Sequence, residues 1–527
     1  MCGIRVIVSR HKPHTVDLDK HDLSHRGPDM RRCDTFKFGI YHVSIVFYRL
    51  AIIGVHNGDQ PFHHDDIHVA CNGEIYNYRE LIKEHNLDPK TDSDCEVIIL
   101  LYKKFRDIEL VTRLLSGVFA FVLVDETRGF IFGVTDYMGV RPLYYNYNTD
   151  NGSMEMASEQ RGINRDLEPI LLKPGMLVDQ KGIESQWMTD WSLPYDKALI
   201  LAQDEMPEEQ VPTEIRYLLR AEIAQQLHAD VPIGFLVSGG VDSSAVFSIA
   251  VDIMSKEGNL PESLDAFTFY FEDTDAPDVD QARIVVAYIR KKYGVRVRHH
   301  LVSATIEEGI RQVSETVRSC STFDTTTIRA ATPMRMLAYY IRERTNVRVV
   351  FSGEGADEAF GGYVYFKNAP SDREYYDEIN SRLNELYLFD IMRADRATSA
   401  HSLELRVPLL GRGIIDFARR SVAVYRNTDI EKYLFRKAVE NYLPKEITWR
   451  TKDAFSDAVG TQWVDKLKEH AETLAYPSIQ FRTREESWYI MLYYMYYRYN
   501  ARPNKYWRPK WTDITDPSAR QLPEWQT

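Results

Sequence analysis

The chain has 527 residues, of which 44% are hydrophobic and 27% charged, and its formal net charge is −12. At roughly 150 residues per domain it should hold two to four domains, and this composition excludes a disordered, collagen-like or coiled-coil chain. The acidic balance argues against a generic nucleic-acid binder. No apolar run approaches the roughly 20 residues that span a bilayer. The start, Met1-Cys2-Gly3-Ile4-Arg5-Val6, lacks a charged stretch followed by a long apolar one, so a cytoplasmic protein is expected. The cysteines, Cys2, Cys33, Cys71, Cys95 and Cys320, are odd in number and form no CxxC pairs. Scattered free thiols in a reducing compartment are expected for the last four.

Residues 1 to about 185 read as short strands rich in Val, Ile, Phe and Tyr: 3–9, 38–47, 67–71, 118–125, 129–134 and 143–147. Helices are expected at 78–84 and 95–105, giving an α+β domain of packed sheets over residues 1–190. Residues 191–212 carry Pro, Asp, Glu and Gln without strong periodicity and read as a linker. From Pro212 onward the texture changes. Ile215, Leu218, Leu219, Ile223 and Leu227 recur at helical spacing. A strand at 231–237 then runs into Ser238-Gly239-Gly240-Val241-Asp242-Ser243-Ser244 and an apolar helix at 245–253. Further strand–loop units begin at 266–271 and 347–351, the latter entering Ser352-Gly353-Glu354-Gly355-Ala356-Asp357-Glu358. Strands alternating with helices imply a parallel sheet covered on both faces over residues 213–527, with ligands beyond the carboxyl ends of its strands. The last part of the chain reads as a helical extension whose aromatic run at 488–499 is expected to pack rather than bind.

The Ser238–Ser244 run sits between a strand and a helix. Two glycines turn backbone N–H groups toward one point, the serines add hydroxyls, and the helix N-terminus adds a positive dipole end. This suits a pyrophosphate, although a plain Gly-rich turn with a helix cap is the competing reading, and it is not a Walker A loop. Asp242 inside an anion cradle calls for a cation, and Mg2+ shares hard oxygen ligands with phosphates well. Glu354, Asp357 and Glu358 could supply a metal ligand and a base, or merely form a solvated acidic turn.

At the other end of the chain, removal of Met1 would leave Cys2 with a free α-amine, whose pKa near 8 lets it serve as the thiol's own base. Asn72-Gly73-Glu74-Ile75-Tyr76-Asn77 follows a strand. The Gly73 N–H and the Asn72 amide could form an oxyanion hole. Arg49, Glu74 and Asp94 could hold the carboxylate and ammonium of a free amino acid.

Met1-Cys2-Gly3-Ile4, His25-Arg26-Gly27-Pro28-Asp29, Arg49-Leu50-Ala51-Ile52, the Asn72–Asn77 run, Ser93-Asp94-Cys95-Glu96 and Gly139-Val140-Arg141-Pro142-Leu143-Tyr144-Tyr145 together resemble class II glutamine amidotransferases. The Ser238–Ser244 loop resembles the PP-loop ATP pyrophosphatases. Asp324-Thr325-Thr326-Thr327-Ile328-Arg329, Ser352 through Glu358 with Phe360-Gly361-Gly362-Tyr363, Glu404-Leu405-Arg406-Val407-Pro408 and Trp449-Arg450-Thr451-Lys452 narrow the likeness. The whole chain resembles the glutamine-hydrolysing asparagine synthetases.

That resemblance implies an N-terminal-nucleophile hydrolase-like sandwich followed by a PP-loop-type α/β domain. It also implies a carbon–nitrogen ligase making asparagine from aspartate, glutamine and ATP through a Cys2 thioester and a β-aspartyl-AMP intermediate. Catalysis falls to Cys2, Asn72, Gly73, Glu354 and Lys452, and glutamine to Arg49, Asn72, Gly73, Glu74 and Asp94, with Arg26 in a loop closing over them. Leu236, Phe269, Ser352 and Gly353 are implied for the nucleotide. The pyrophosphate end would take Ser238, Gly239, Gly240, Asp242, Ser243 and Ser244, and Mg2+ would take Asp242 and Asp357. Thr326, Thr327, Arg329, Asp390 and Arg393 are implied near aspartate or the intermediate. Val118 and Leu403 would line an ammonia tunnel. The family implies a homodimer and no organic prosthetic group, nucleic-acid partner or membrane.

Four positions depart from the family pattern: Thr135 stands where an Arg is usual, Gly411 and Gly54 where an Asp is, and Tyr48 where a Glu is common. Two other readings remain. The same fold could activate another carboxylate, as β-lactam synthetases do, but these would be expected to lose the Cys2 set or alter the Glu354 region. A catalytically reduced assembly or glutaminase-only protein is the other, against which Asp242, Glu354, Asp357 and Lys452 all stand.

Overall fold

The computed structural model describes the chain except for residues 11–20, 165, 189–193, 273, 428, 451–461, 476–481, 498–505, 513–515 and 517–527. Among the described residues the first half contributes twelve strands. Those before the first helix are β1 (Gly3–Ser9), β2 (Met30–Phe38), β3 (Tyr41–Arg49), β4 (Phe62–His64) and β5 (Ile67–Ile75). Then come β6 (Gly117–Asp125), β7 (Phe130–Thr135), β8 (Tyr144–Asn148), β9 (Ser153–Ala157), β10 (Ile170–Leu171), β11 (Met176–Asp179) and β12 (Glu184–Gln186). They form two six-stranded antiparallel sheets, ordered β10-β8-β9-β1-β3-β2 and β12-β11-β7-β6-β5-β4. β6 is buried along its whole length, as a continuous apolar strand covered on both faces must be.

Helices Tyr78–His85 and Glu96–Phe105 lie where the apolar spacing puts them. The sequence missed β2, whose Arg31, Arg32, Asp34 and Lys37 give it the charged look of an exposed edge strand. A turn at Gly39, φ +51°, separates it from β3, so the expected single strand at 38–47 is a hairpin. Part of the expected linker is helical: Tyr195–Glu205 buries Ala198 and Ala202.

The second half is built on a five-stranded sheet: β13 (Ile233–Leu236), β14 (Ser263–Phe271), β15 (Arg296–Ala304), β16 (Val349–Phe351) and β17 (Glu404–Arg406). Its order is β15-β14-β13-β16-β17 and every pairing is parallel. The carboxyl ends of β13, β14 and β16 therefore open on one edge, where order reverses on either side of β13. Helices Val211–Gln226, Val241–Glu257, Pro277–Tyr293 and Thr325–Arg344 accompany this sheet. The aromatic run packs as expected: within helix Arg484–Tyr496, Trp488, Tyr489 and Tyr493 are buried. Among the described residues no helix is long and apolar enough to cross a membrane.

Buried charges stitch the halves together. Arg26, fully buried, donates to Glu159 at 3.0 Å and to Asp395 at 3.1 Å. Arg141 reaches the other oxygen of Asp395 at 3.1 Å and the Leu405 carbonyl at 2.9 Å. Arg406 pairs with Glu404 at 2.9 Å and with Glu74, across the seam, at 3.5 Å.

Two candidate active sites

Cys2 immediately precedes β1 in one sheet and faces β5 of the other, inside one continuous core. Its Sγ accepts from the Leu50 N–H at 3.4 Å, and Arg26 Nε donates to its carbonyl at 2.9 Å. Arg26, in the loop that precedes β2, is thus fixed in the seam beside the cysteine. Burial pushes the Cys2 thiol up, and the N-terminal amine pulls against that shift. The cysteines are all free, as expected, but not all scattered: Cys71 and Cys95 interact with each other, and Cys71 with Cys2.

Asn72, Gly73 and Glu74 lie within β5, not after it, because the strand continues to pair with β6 as far as Ile75. A Cβ at Gly73 would stand 2.2 Å from the Val118 carbonyl, so the close approach of β6 demands glycine. Both amide atoms of Asn72 are buried without a hydrogen-bond partner among the described residues. Such a group costs about 1–3 kcal/mol, which makes it a natural place for a ligand oxygen. Asp94 accepts the Ile75 N–H at 2.6 Å, and burial pushes its carboxyl up to about 6. Glu74 is raised further, by burial and then by Asp94 and Glu404, despite Arg406. Arg49 braces the following loop through the Val55 carbonyl at 3.1 Å, Asp59 at 2.7 Å and the Gly54 carbonyl.

The second site is a cavity of about 290 Å³ at the open edge of the parallel sheet. Leu236 and Phe269 wall it; Ser238, Gly239, Gly240, Asp242 and Ser243 line one side, and Ser352, Gly353, Glu354, Asp357 and Glu358 another. The two loops touch, since a Cβ at Gly353 would be 2.5 Å from the Ser243 nitrogen. Gly239 holds φ +81°, turning the first loop back against helix Pro277–Tyr293. Helix Val241–Glu257 begins directly behind it, its N-terminus directed at the cavity.

Arg393 Nη2 sits 2.7 Å from Glu354 and 2.8 Å from Asp390, and both acids line the same cavity. Burial raises Glu354 in spite of Arg393. Burial, then Asp390 and Asp357, push Glu358 up to about 8, and the Tyr363 hydroxyl donates to it. Thr326 and Thr327 line the wall. The Thr326 hydroxyl is buried without a partner among the described residues, whereas Thr327 is tied to Asp324 at 2.7 Å.

Some expected members fall elsewhere. Ser244 is fully buried on the far side of its helix and does not line the cavity. Arg329 also lies off the cavity; its guanidinium is buried against Glu485 at 2.6 Å and Asp516 at 2.9 Å. Lys452 lies outside the described residues. Sequence reasoning missed Lys432, whose buried ammonium meets both oxygens of Asp242, at 2.8 and 2.7 Å, and Asp357 at 2.9 Å. No spacing signals a lysine 190 positions from its partner. Its left-handed backbone, φ +56°, costs energy for a side chain this long and marks a constrained position. Arg436 and Arg450 line the cavity as well.

The departures from the family pattern are locally self-consistent. Gly54 holds φ +61° within 2.7 Å of the Ser93 nitrogen, as measured from an added Cβ, and its N–H binds Asp230 across the seam at 2.8 Å. An added Cβ on Gly411 would stand 2.0 Å from Glu222 Cδ, and Glu222 accepts the Gly413 N–H. A carboxylate from another helix thus caps helix Arg412–Phe417, a task an Asp at 411 would perform itself. Thr135 turns its hydroxyl to the Lys173 carbonyl at 2.7 Å. Tyr48 packs on Leu23 and Val46.

Fold and sites define a class: a chain that joins a sandwich of two antiparallel sheets, with a cysteine at its second position, to a parallel α/β half whose Gly-rich loop walls a cavity. A family model described as "Glutamine amidotransferase domain" matches residues 1–193, and one described as "Asparagine synthase" matches 214–384 and 372–511. A protein of Gallus gallus named asparagine synthetase [glutamine-hydrolyzing] is 36% identical over 100% of this chain and 99% of its own. A probable enzyme of that name from Acanthamoeba polyphaga mimivirus is 34% identical over 99% of this chain and 100% of its own. The Rattus norvegicus relative is 34% identical over 100% and 99%. The chain belongs to the glutamine-hydrolysing asparagine synthetases.

Proposed function

We propose that this chain makes asparagine from aspartate, with glutamine as nitrogen donor and ATP as activating co-substrate, in two sites that work in sequence. The observation that carries this reading is one chain holding two separate devices: a buried Cys2 thiol and an unpartnered Asn72 amide in one half, and in the other a cavity walled by the Ser238–Ser243 loop and by Glu354, Asp357, Glu358 and Asp390.

On the first side, the Cys2 thiolate attacks the glutamine amide carbon, with its own α-amine as base once Met1 is removed. The Asn72 amide and the Gly73 N–H receive the oxyanion. Ammonia leaves, and water hydrolyses the thioester to glutamate. Arg49, Glu74 and Asp94 orient the amino-acid end of the substrate. Ammonia would pass to the second half beside Val118, paired with Glu74 across the strands, and Leu403, two residues before Leu405 of the seam, both buried and aliphatic.

On the second side, a β-carboxylate oxygen of aspartate bonds to the α-phosphorus of ATP and pyrophosphate departs. Ammonia then attacks the activated carbonyl, loses a proton to Glu354, and AMP leaves. Ser238, Gly239, Gly240 and Ser243 hold the departing phosphates, while Leu236, Phe269, Ser352 and Gly353 seat the nucleotide. Thr326, Asp390 and Arg393 lie toward aspartate, and Lys452 toward the α-phosphate. Asp242 and Asp357 fit Mg2+, because hard carboxylate oxygens from two loops already converge on one cationic position, that of Lys432 Nζ. Bound there, Mg2+ would neutralise phosphate charge. With those acids holding the ion, Lys432, which lines the same cavity, would be available to meet the phosphates. An intact Cys2 set and Glu354 favour aspartate and free ammonia over an intramolecular cyclisation.

The family resemblance supports a cytoplasmic homodimer, which sedimentation and fractionation test. The decisive experiment incubates Met1-processed protein with ATP, Mg2+ and glutamine, with and without aspartate, and quantifies AMP, pyrophosphate, glutamate and asparagine. AMP and asparagine formed only with aspartate support the reading. Glutamate release without aspartate-dependent AMP overturns the acceptor.

A further inference from the structure

Away from both sites, the outer edge of the β4–β5–β6 sheet gathers two imidazoles and a carboxylate. His63 and His68 stand directly opposite each other on β4 and β5, their rings stacked with centroids 4.5 Å apart. His68 also stacks on Phe36 at 3.9 Å. Glu126 follows β6, fixed by its N–H to the Asp66 carbonyl at 2.9 Å, and its Oε1 lies 2.6 Å from His68 Nε2. One ligand atom from each of the three lies within 4.8 Å of the others. His63 and Glu126 reach solvent while His68 is buried, and His68 Nδ1 has no hydrogen-bond partner among the described residues.

We propose that His63, His68 and Glu126 form a Zn2+ site, with water completing the coordination. A carboxylate bonded to one histidine explains that pair alone, and ring stacking holds His63 beside it without using its ring nitrogens. Two imidazoles and a carboxylate are the borderline ligand set that Zn2+ takes, with a fourth position open. His68 and Glu126 already touch. Bringing His63 to a metal–nitrogen distance of about 2.1 Å requires its exposed side chain to swing out of the stack, with no movement of backbone. The ion would pin three neighbouring strands at one end of β5, the strand whose other end carries Asn72 and Gly73.

The test uses the full chain, stripped with EDTA and titrated with ZnCl2 by calorimetry, beside His63→Ala and Glu126→Gln. A single site is expected in the parent. Each variant should bind at least about tenfold more weakly, since loss of a ligand costs no less than the loss of an outer-shell partner. Zn2+ should raise the melting temperature of the parent and not of His63→Ala. Because His63 is exposed, this variant should melt like the parent in EDTA. Co2+ in place of Zn2+ should give a spectrum of nitrogen and oxygen ligands. Absence of Zn2+ uptake by the parent, unchanged affinity in His63→Ala, or a thiolate-to-Co2+ charge-transfer band placing the ion at cysteines would each overturn the proposal.

Discussion

The two sites handle buried carboxylates in opposite ways. Around Cys2 three acids are met from within the protein: Glu74 and Glu404 share Arg406, Glu404 also lies 4.0 Å from the Met1 amine, and Asp94 accepts the Ile75 N–H. In the cavity the acids outnumber the cations, with Asp242, Asp278, Asp324, Glu354, Asp357, Glu358 and Asp390 on its wall beside Arg393, Lys432, Arg436 and Arg450. The difference teaches what each site expects. On the proposed function, a zwitterionic amino acid would bring no net charge to the first site, and a nucleotide with a divalent cation would meet the excess oxygens of the second.

Substitutions can break that contrast. Cys2→Ala should abolish glutamine-dependent asparagine formation by at least about 10³-fold, as loss of a nucleophile does, while ammonia-dependent formation persists; equal loss with both nitrogen sources would mean the two sites do not divide the chemistry. Asn72→Ala should lower glutaminase kcat by about 10²–10³, the worth of one oxyanion-hole donor, again sparing the ammonia reaction. Lys432→Ala should instead depress synthesis from either nitrogen source alike, by about 10², with Lys432→Arg recovering part of it. A Lys432 variant impaired with glutamine alone would argue against a phosphate role.

The smallest effect is on stability. Burial holds Glu222 up at about 7, well above the usual 4.5. The folded state therefore keeps this proton more tightly than the unfolded state, so the contribution is fully present below pH 4.5 and lost as pH rises through 7. Between these values the parent should lose stability relative to Glu222→Gln in urea melts. Parallel curves would remove Glu222 as the cause.

Much of this was legible in the chain itself. The Ser238–Ser244 run lay between a strand and a helix because Gly239 and Gly240 punctuate an apolar pattern in a way few other contexts require. The strand carrying Asn72 ended too early on paper, since glycine weakens a strand locally and only the proximity of Val118 shows why it is there. Arg329 looked like part of a site because it closes a motif, yet helix Thr325–Arg344 turns it through its own periodicity toward Glu485. Lys432 was out of reach for a different reason: long-range ion pairs leave no trace in local spacing. Glu222 and Gly411 show the same limit, as a missing carboxylate at one position is supplied from a helix far back in the chain.

The charged seam has a bearing on how such a chain can be recombined. Arg26, Asp395, Arg141, Glu404, Arg406 and Glu74 are each buried, and their partners lie on opposite sides of the join. Grafting one half onto a stranger that covers the seam leaves Arg141 without Asp395 and Glu74 without Arg406, at about 3–5 kcal/mol for each pair broken while still buried. The two catalytic units are therefore not interchangeable cassettes; a working hybrid has to inherit both faces of the join from one parent.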